Sequence, residues 1–292
     1  MVKTGIYYAY WTKDWRSDFV PFVRKVKNLG FEVLEVNAGT LPLMSRKELQ
    51  ELKEVAEDHE IALSCCVGLT PEVDPSSDDP DIRRKGVAFL NKISKAMVHG
   101  GINKLSGIIY SSWPGKLEPR GFEKEQIRAW SIASMKEAIK AADDNNLQYN
   151  IEVVNRFEQF IINTAAEAIA YIDEVDSPNI KMLLDTFHMN IEENSFREAI
   201  VSAGDRLGHF HIGENNRRPP GVGMIPWDEI FSALKDISYK QWIVMEFFIS
   251  PGGEVGRDIS VYRDLMPGSD KDEEARRSCL FIQNKVRDYL RK

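Results

Sequence analysis

Residues 182–190 read MLLDTFHMN. They begin inside IKMLLDT at 180–186, which has the length and apolar composition of a buried strand. Asp185 and then His188 follow the apolar run directly. A buried carboxylate is costly unless a cation or hydrogen bonds compensate for it. Asp185 is therefore either the cap of a following helix or part of a functional site, and the choice depends on how the other strands end.

Seven more short apolar or β-branched runs occur at near-regular intervals. The eight predicted strands are 5–11, 31–37, 61–68, 104–110, 148–154, 180–186, 207–213 and 242–248. Amphipathic stretches with helical spacing lie between them. Ser45 followed three residues later by Glu48 is typical of a capping box, and Gly30 closes the first amphipathic stretch. The segment at 272–292 predicts a last helix.

Strand–helix alternation repeated eight times predicts a parallel sheet with helical crossovers. Eight such units in 292 residues fit an α/β fold of the closed (β/α)8 TIM-barrel type better than an open doubly wound sheet. The latter would be expected to carry a glycine-rich nucleotide turn after its first strand, and GIYYAYWTKDW at 5–15 has none. Because no linker or low-complexity segment interrupts the chain, residues 1–292 are predicted to form a single barrel domain with a C-terminal helix.

Composition limits the partners and the compartment. The formal net charge is −7 and no basic block is present, which argues against a nucleic-acid partner. No apolar run approaches the ~20 residues of a membrane span, and the N-terminus lacks signal-peptide features, so no membrane partner is expected. Cys65, Cys66 and Cys279 form neither a disulfide framework nor a CxxC metal motif. We expect buried thiols and a cytoplasmic protein.

The last four strands place ligand-type side chains at their carboxyl ends, where barrel active sites lie. They are Glu152, Asp185, His211 and Glu246. Three carboxylates and an imidazole directed at one axis would repel unless a cation held them. This set of three oxygen donors and one nitrogen suits Mn²⁺, Mg²⁺ or Co²⁺. Taken singly, Asp185 could instead be a helix cap, and either glutamate could pair with an arginine such as Arg156.

Three of the five histidines fall at the ends of the sixth and seventh predicted strands. His209 and His211 alternate onto the same face of their strand. His211 lies nearer the carboxyl end and is the expected ligand, whereas His209 is expected to be a hydrogen-bonded interior histidine or one that supports a ligand.

At these residues the chain resembles the ketose 3-epimerases, the D-tagatose 3-epimerase and D-psicose (D-allulose) 3-epimerase family of xylose-isomerase-like barrels. The resemblance runs nearly end to end, and its long pieces are NIKMLLDTFHMNIEENSF at 179–196 and LGHFHIGENNRRPPG at 207–221. It implies the same four metal ligands, with Mn²⁺ or Co²⁺ as the cofactor and Mg²⁺ as a further option. It also implies a homodimer or homotetramer.

The resemblance further implies a set of substrate contacts. His188, Arg217 and Glu158 are expected near O1–O3 of the sugar, with Trp15 and Trp113 as walls of the pocket. Apart from the resemblance, side chains of the first few strand loops, among them Tyr7, Asn37 and Leu69, are expected to contact the C4–C6 end. From the residues alone, Arg217 could equally pair with an acid, and the two tryptophans could be core aromatics.

The sequence departs from the family pattern near the predicted site. Ile212 stands where members commonly have Thr, and Phe247 stands where they have Pro. Neither is a ligand or a base, so we expect these differences to bear on the preferred sugar and not on the reaction.

The implied activity is a metal-dependent ketose 3-epimerase that interconverts D-fructose and D-psicose (D-allulose), or related ketoses. Removal of the C3 proton beside the carbonyl leaves a cis-enediolate, and its return to the opposite face needs two bases unless one base can swing around the substrate. Glu152 and Glu246 come from the fifth and eighth strands and are expected to serve opposite faces. No redox step occurs, so no nucleotide cofactor is expected.

Three alternatives stay open at this stage. An aldose–ketose isomerase would use the same barrel and metal but move the proton between C1 and C2. A metal-dependent phosphodiester endonuclease would need a histidine-rich metal cluster and a basic surface, which the five histidines and net charge of −7 disfavour. A non-catalytic sugar-binding barrel would not need paired glutamates. The preferred ketose among fructose, psicose, tagatose, sorbose and the ketopentoses, the native metal and the oligomeric state stay undetermined.

Overall fold

The computed structural model describes residues 2–117 and 123–290. Its centre is a closed barrel of eight parallel strands, in which each strand pairs with the next in chain order and the last pairs with the first. The strands are β1 Thr4–Tyr7, β2 Val33–Asn37, β3 Ala62–Cys66, β4 Lys104–Gly107, β5 Gln148–Val153, β6 Ile180–Asp185, β7 Leu207–Ile212 and β8 Trp242–Met245. The predicted (β/α)8 barrel is confirmed.

Every predicted strand is present, and every one is shorter than predicted. The first was expected at 5–11, but the ladder ends at Tyr7 and Tyr8–Tyr10 form a 3-10 turn. The last was expected at 242–248 and ends at Met245. The apolar runs in the sequence extend beyond the hydrogen-bonded strands, because residues such as Phe247, just beyond a strand end, are still buried in the loops over the barrel mouth.

Helices surround the barrel. They are α1 Val20–Leu29, α2 Arg46–Asp58, α3 Pro80–His99, α4 Lys124–Asn145, α5 Ala165–Val175, α6 Thr186–Glu192, α7 Phe196–Ala203, α8 Trp227–Asp236, α9 Gly253–Asp258 and α10 Lys271–Leu290. The local signals hold: Ser45 and Glu48 form the capping box of α2, and Gly30 ends α1 with a φ of 95°. The last two residues of the predicted C-terminal helix lie outside the described residues.

All three cysteines are buried and free, as predicted. Across residues 2–117 and 123–290, none of the helices combines the length and the apolar composition that crossing a membrane requires.

The barrel interior is polar below the mouth. Ser64 donates to Glu35 at 2.8 Å, and the amide of Asn150 donates to the hydroxyl of Ser106 at 3.2 Å. These side chains are fully buried, so each needs a partner inside the barrel. The consequence is a hydrogen-bonded platform directly under the ends of the strands.

Candidate active site and metal centre

The structure brings the four predicted ligands together at the carboxyl end of the barrel. One ligand atom from each of Glu152, Asp185, His211 and Glu246 lies within 4.8 Å of the others, and all four residues are buried. Parallel pairing explains part of this: Asp185 of β6 and His211 of β7 are direct register partners. Glu152 lies in β5, and Glu246 follows the last residue of β8.

The donor set fits a divalent cation. Nδ1 of His211 is buried and has no hydrogen-bond partner among the described residues. It lies 3.6 Å from Oε1 of Glu246 and 3.9 Å from Oε1 of Glu152, which is too long for hydrogen bonds. A nitrogen lone pair and carboxylate oxygens around one small space form the kind of coordination shell that Mn²⁺, Co²⁺ or Mg²⁺ takes.

The pKa values of the two glutamates are shifted in opposite directions. Burial raises the pKa of Glu152 well above its usual range, and the neighbouring carboxylate of Glu246 raises it further. Burial also acts to raise the pKa of Glu246, but His211 and Arg217 outweigh it and leave that pKa below its usual value. The carboxylates are thus in unequal environments, an arrangement found where one group accepts a proton and another gives one up.

Asp185 serves in both of the ways considered for it. Its Oδ1 accepts a hydrogen bond from the main-chain N–H of Phe187 at 2.8 Å and caps α6. Its Oδ2 lies 3.5 Å from Nη1 of Arg217 and 4.0 Å from Nε2 of His188. One oxygen therefore fixes the start of the helix while the other faces the site.

Glu35 of β2 is a site residue that sequence reasoning missed. Its Oε1 lies 2.6 Å from Nε2 of His211, and its Oε2 lies 3.0 Å from Nε2 of His209. Burial disfavours its charge, but the positive charge of the two imidazoles and the hydrogen bond with His211 hold the pKa of Glu35 well below its usual value. When Nε2 of His211 donates its hydrogen to the carboxylate of Glu35, the lone pair of Nδ1 is directed at the ligand cluster, as is usual for metal-binding histidines. The sequence feature that could have identified Glu35 is a glutamate inside the apolar run FEVLEVN, at 31–37.

Arg217 pairs with acids and also faces the site. Its Nη1 lies 3.2 Å from Oε2 of Glu246, and its Nη2 lies 3.4 Å from Oε1 of Glu158. The guanidinium stacks on Phe187, with its carbon 3.8 Å from the ring centre. Arg156, considered as a partner for the site glutamates, instead bonds Glu192 at 2.7 Å.

A cavity of about 490 Å³ opens above the cluster. This volume falls within the usual range for small-molecule sites. All six predicted substrate contacts line it: Tyr7, Trp15, Trp113, Glu158, His188 and Arg217. Glu152 and Glu246 also reach it, whereas Asp185 and His211 lie beneath its floor.

The two tryptophans are anchored by their ring nitrogens while their rings line the cavity. Nε1 of Trp15 donates to Asp258 at 2.8 Å, and Nε1 of Trp113 donates to Glu158 at 2.9 Å. Both are therefore wall residues and not core aromatics. Further apolar wall comes from Leu69, Val73, Phe89, Ile108, Phe248 and Ile259.

The two departures from the family pattern do not reach this space. Ile212 and Phe247 are buried, and neither side chain lines the cavity. Phe247 packs edge-on against Tyr10, with ring centres 4.5 Å apart. The expectation that these residues bear on sugar preference has no direct contact to support it.

Comparison with known proteins agrees with the fold and identifies the family. A family model described as a xylose isomerase-like TIM barrel matches residues 23–280. The chain is 42% identical over 283 residues to a D-psicose 3-epimerase of Ruminiclostridium cellulolyticum, covering 96% of this chain and 96% of that protein. It is 41% identical to a D-psicose 3-epimerase of Agrobacterium fabrum, covering 96% of this chain and 98% of that protein.

A solved structure is similar over the whole length. It is D-psicose 3-epimerase with D-tagatose, from Clostridium cellulolyticum H10, with a TM-score of 0.94 and 41% identity, covering 99% of each chain. The chain therefore belongs to the ketose 3-epimerase family of xylose isomerase-like TIM barrels, a family of carbohydrate epimerases.

Proposed function

We propose that this protein is a metal-dependent ketose 3-epimerase that interconverts D-fructose and D-psicose (D-allulose), or related ketoses, with Mn²⁺ or Co²⁺ as its cofactor. The observation that carries the proposal is the pair of glutamates, Glu152 and Glu246, which line the floor of the cavity and also belong to the ligand cluster. Relatives named D-psicose 3-epimerases, one of them crystallised with D-tagatose, support the choice of sugars.

The chemistry needs a proton taken from C3 and returned to the opposite face. Glu152 and Glu246 reach the cavity from β5 and from the end of β8, three strands apart around the barrel. Each carboxylate has two oxygens, so one can stay in the ligand cluster while the other accepts or gives the proton. A bound divalent cation would supply Lewis-acid stabilisation of the negative charge that develops on the sugar oxygens.

The remaining cavity groups stabilise and orient that charge. Arg217 carries a fixed positive charge beside Glu246 and Glu158, so it can donate to the sugar oxygens as the enediolate forms. Nε2 of His188 faces the same space, 3.9 Å from Oε1 of Glu152. Trp15 and Trp113 line the cavity, so their rings take the place of water along part of its wall.

The endonuclease alternative would need additional metals. The described residues contain a second group of metal-type side chains, Glu35, His209 and His211. Nε2 of His211 and Oε1 of Glu35 are 2.6 Å apart, which is a hydrogen-bond distance, so His211 would have to give up that bond to serve a second ion here. The hydrogen bond favours a supporting role for Glu35 at the single four-residue ligand cluster.

The test uses the purified protein, stripped of metal with a chelator and then given Mn²⁺, Co²⁺ or Mg²⁺. Chromatography of the products from D-fructose should show D-psicose after metal is restored and none before. Glu246→Gln should be inactive under the same conditions, while Glu32→Gln, a carboxylate at the other end of the barrel that accepts from the N–H of Thr4, should match the unmodified protein.

Two results would overturn the proposal. The first is that no C3 epimer forms from fructose, tagatose, sorbose or the ketopentoses with any of the three metals, which would refute the epimerase activity. Aldose product from the ketoses would instead establish the aldose–ketose isomerase alternative.

A further inference from the structure

We propose that Asn155 is a positioning residue that makes His188 a hydrogen-bond donor through its Nε2 atom, aimed at the substrate. The role of that donor in stabilising the enediolate rests on the proposed function. The hydrogen-bond assignment itself rests only on the geometry around the imidazole.

The main chain supplies the first of two donors to the imidazole. Asn155 follows β5 by two positions, and its backbone N lies 3.2 Å from Nδ1 of His188. A backbone N–H can only donate, so Nδ1 must accept. In a neutral imidazole the hydrogen is then on Nε2.

The side chain of Asn155 reinforces the same assignment. Its Nδ2 lies 2.7 Å from Nδ1 of His188. The amide orientation is not arbitrary, because Oδ1 accepts the main-chain N–H of Phe157 at 2.9 Å. The NH₂ group therefore faces the histidine, and Nδ1 receives two donors from one residue.

The opposite edge of the imidazole is free to act on a substrate. Nε2 lies 3.9 Å from Oε1 of Glu152 and 4.0 Å from Oδ2 of Asp185, beyond hydrogen-bond distance of both. His188 lines the cavity while being almost fully buried. A sugar oxygen bound there would meet an N–H donor and not a lone pair, so His188 acts as a donor and the glutamates remain the bases.

The same amide also links His188 to the other predicted sugar contacts. Nδ2 of Asn155 lies 3.1 Å from Oε1 of Glu158, and that oxygen lies 3.4 Å from Nη2 of Arg217. An aspartate at position 155 would keep the shape but present an acceptor to Nδ1 and to Glu158. It would therefore favour hydrogen on Nδ1 and oppose the arrangement.

The test is ¹⁵N NMR of histidine-labelled protein loaded with diamagnetic Mg²⁺, together with steady-state kinetics. The His188 signals are assigned by their loss in His188→Gln. The unmodified protein should show Nδ1 unprotonated and Nε2 protonated. Asn155→Asp keeps the main-chain donor at 3.2 Å but replaces the shorter side-chain donor, at 2.7 Å, by a carboxylate. It should therefore shift hydrogen from Nε2 towards Nδ1 and lower kcat by about 10²- to 10³-fold, the cost of losing one donor to a developing oxyanion, with a much smaller change in KM.

Asn216→Asp is the matched control, because it adds the same charge on an exposed loop residue whose Oδ1 already accepts a main-chain N–H, that of Arg218. It should leave the His188 signals unchanged. A protonated Nδ1 in the unmodified protein would overturn the proposal without any variant, so a folding failure of Asn155→Asp does not block the test. Unchanged His188 signals in a folded Asn155→Asp would also overturn it.

The outcome separates this inference from the proposed function. The expected Nε2–H form in a protein that epimerises no ketose would refute the function and leave the role of Asn155 in orienting His188 intact. An active epimerase whose His188 carries its hydrogen on Nδ1 would support the proposed function and refute the role of Asn155.

Discussion

Replacing Glu35 by glutamine should weaken Mn²⁺ binding although Glu35 lies outside the four-residue ligand cluster. The carboxylate contacts Nε2 of His211 at 2.6 Å, Nε2 of His209 at 3.0 Å and the hydroxyl of Ser64 at 2.8 Å. Glutamine keeps the volume but has one acceptor oxygen, and its NH₂ would face one of the imidazoles. The variant therefore loses at least one charge-assisted hydrogen bond without creating a cavity.

The size of the effect follows from that single loss. A hydrogen bond to a charged group contributes about 1.5–3 kcal/mol. Partners of metal-binding histidines typically alter metal affinity by about 10- to 100-fold. Since each factor of ten in Kd corresponds to about 1.4 kcal/mol, the two ranges agree. We expect the Kd of Glu35→Gln for Mn²⁺ to rise by that factor.

Calorimetric titration of metal-stripped protein with Mn²⁺ measures this directly and needs no substrate. Glu32→Gln is the control, because Glu32 precedes β2 at the amino end of the barrel, away from the ligand cluster. It should bind Mn²⁺ like the unmodified protein. A folded Glu35→Gln with a Kd within about twofold of the unmodified value would refute the orienting role of Glu35.

Three further outcomes follow from the site. Glu152→Gln and Glu246→Gln should each lower epimerisation by at least about 10²-fold with cooperative unfolding retained, and a fully active Glu246→Gln would contradict the two-base mechanism. Arg217→Lys should lower kcat/KM by about 10²-fold, because an ammonium cannot reach Glu246 and Glu158 together; a change below about threefold would show that the guanidinium fork is not needed. Metal binding should release protons and weaken as pH falls. Burial raises the pKa of Glu152. The carboxylates of Glu35 and Glu246 outweigh the effect of burial on His211 and raise its pKa as well. Calorimetry at pH 7 in two buffers of different ionisation heat counts those protons, and a count of zero would contradict the assigned shifts.

The local features of the fold could be predicted because they depend on neighbours in the chain. The capping box of Ser45 and Glu48, three residues apart, and the left-handed Gly30 after α1 form within a single turn. Strand positions followed from apolar runs, but strand ends did not. Burial continues past Tyr7 and Met245, because loops close over the barrel mouth, and periodicity cannot separate a buried loop from a strand.

The ligand cluster could be anticipated because parallel barrel topology makes the carboxyl ends of strands converge. Once eight strands were counted, an acid or a histidine at four successive ends had to meet near one axis. The contacts around that cluster were different. Glu35 meets His211 across 176 positions of the chain, and Asn155 meets His188 across 33, so no spacing rule connects them.

By itself, then, the sequence determined the strand and helix order, the barrel, and which side chains end its last four strands, because all of these follow from hydrophobic period and topology. Only the tertiary structure decided which atom of each side chain does what. One oxygen of Asp185 caps α6 while the other faces the site, and the hydrogen of His188 lies on Nε2 because two donors from Asn155 occupy Nδ1. The physical reason is that hydrogen bonds depend on distances and angles of a few tenths of an ångström between groups far apart in the chain, which only the folded barrel specifies.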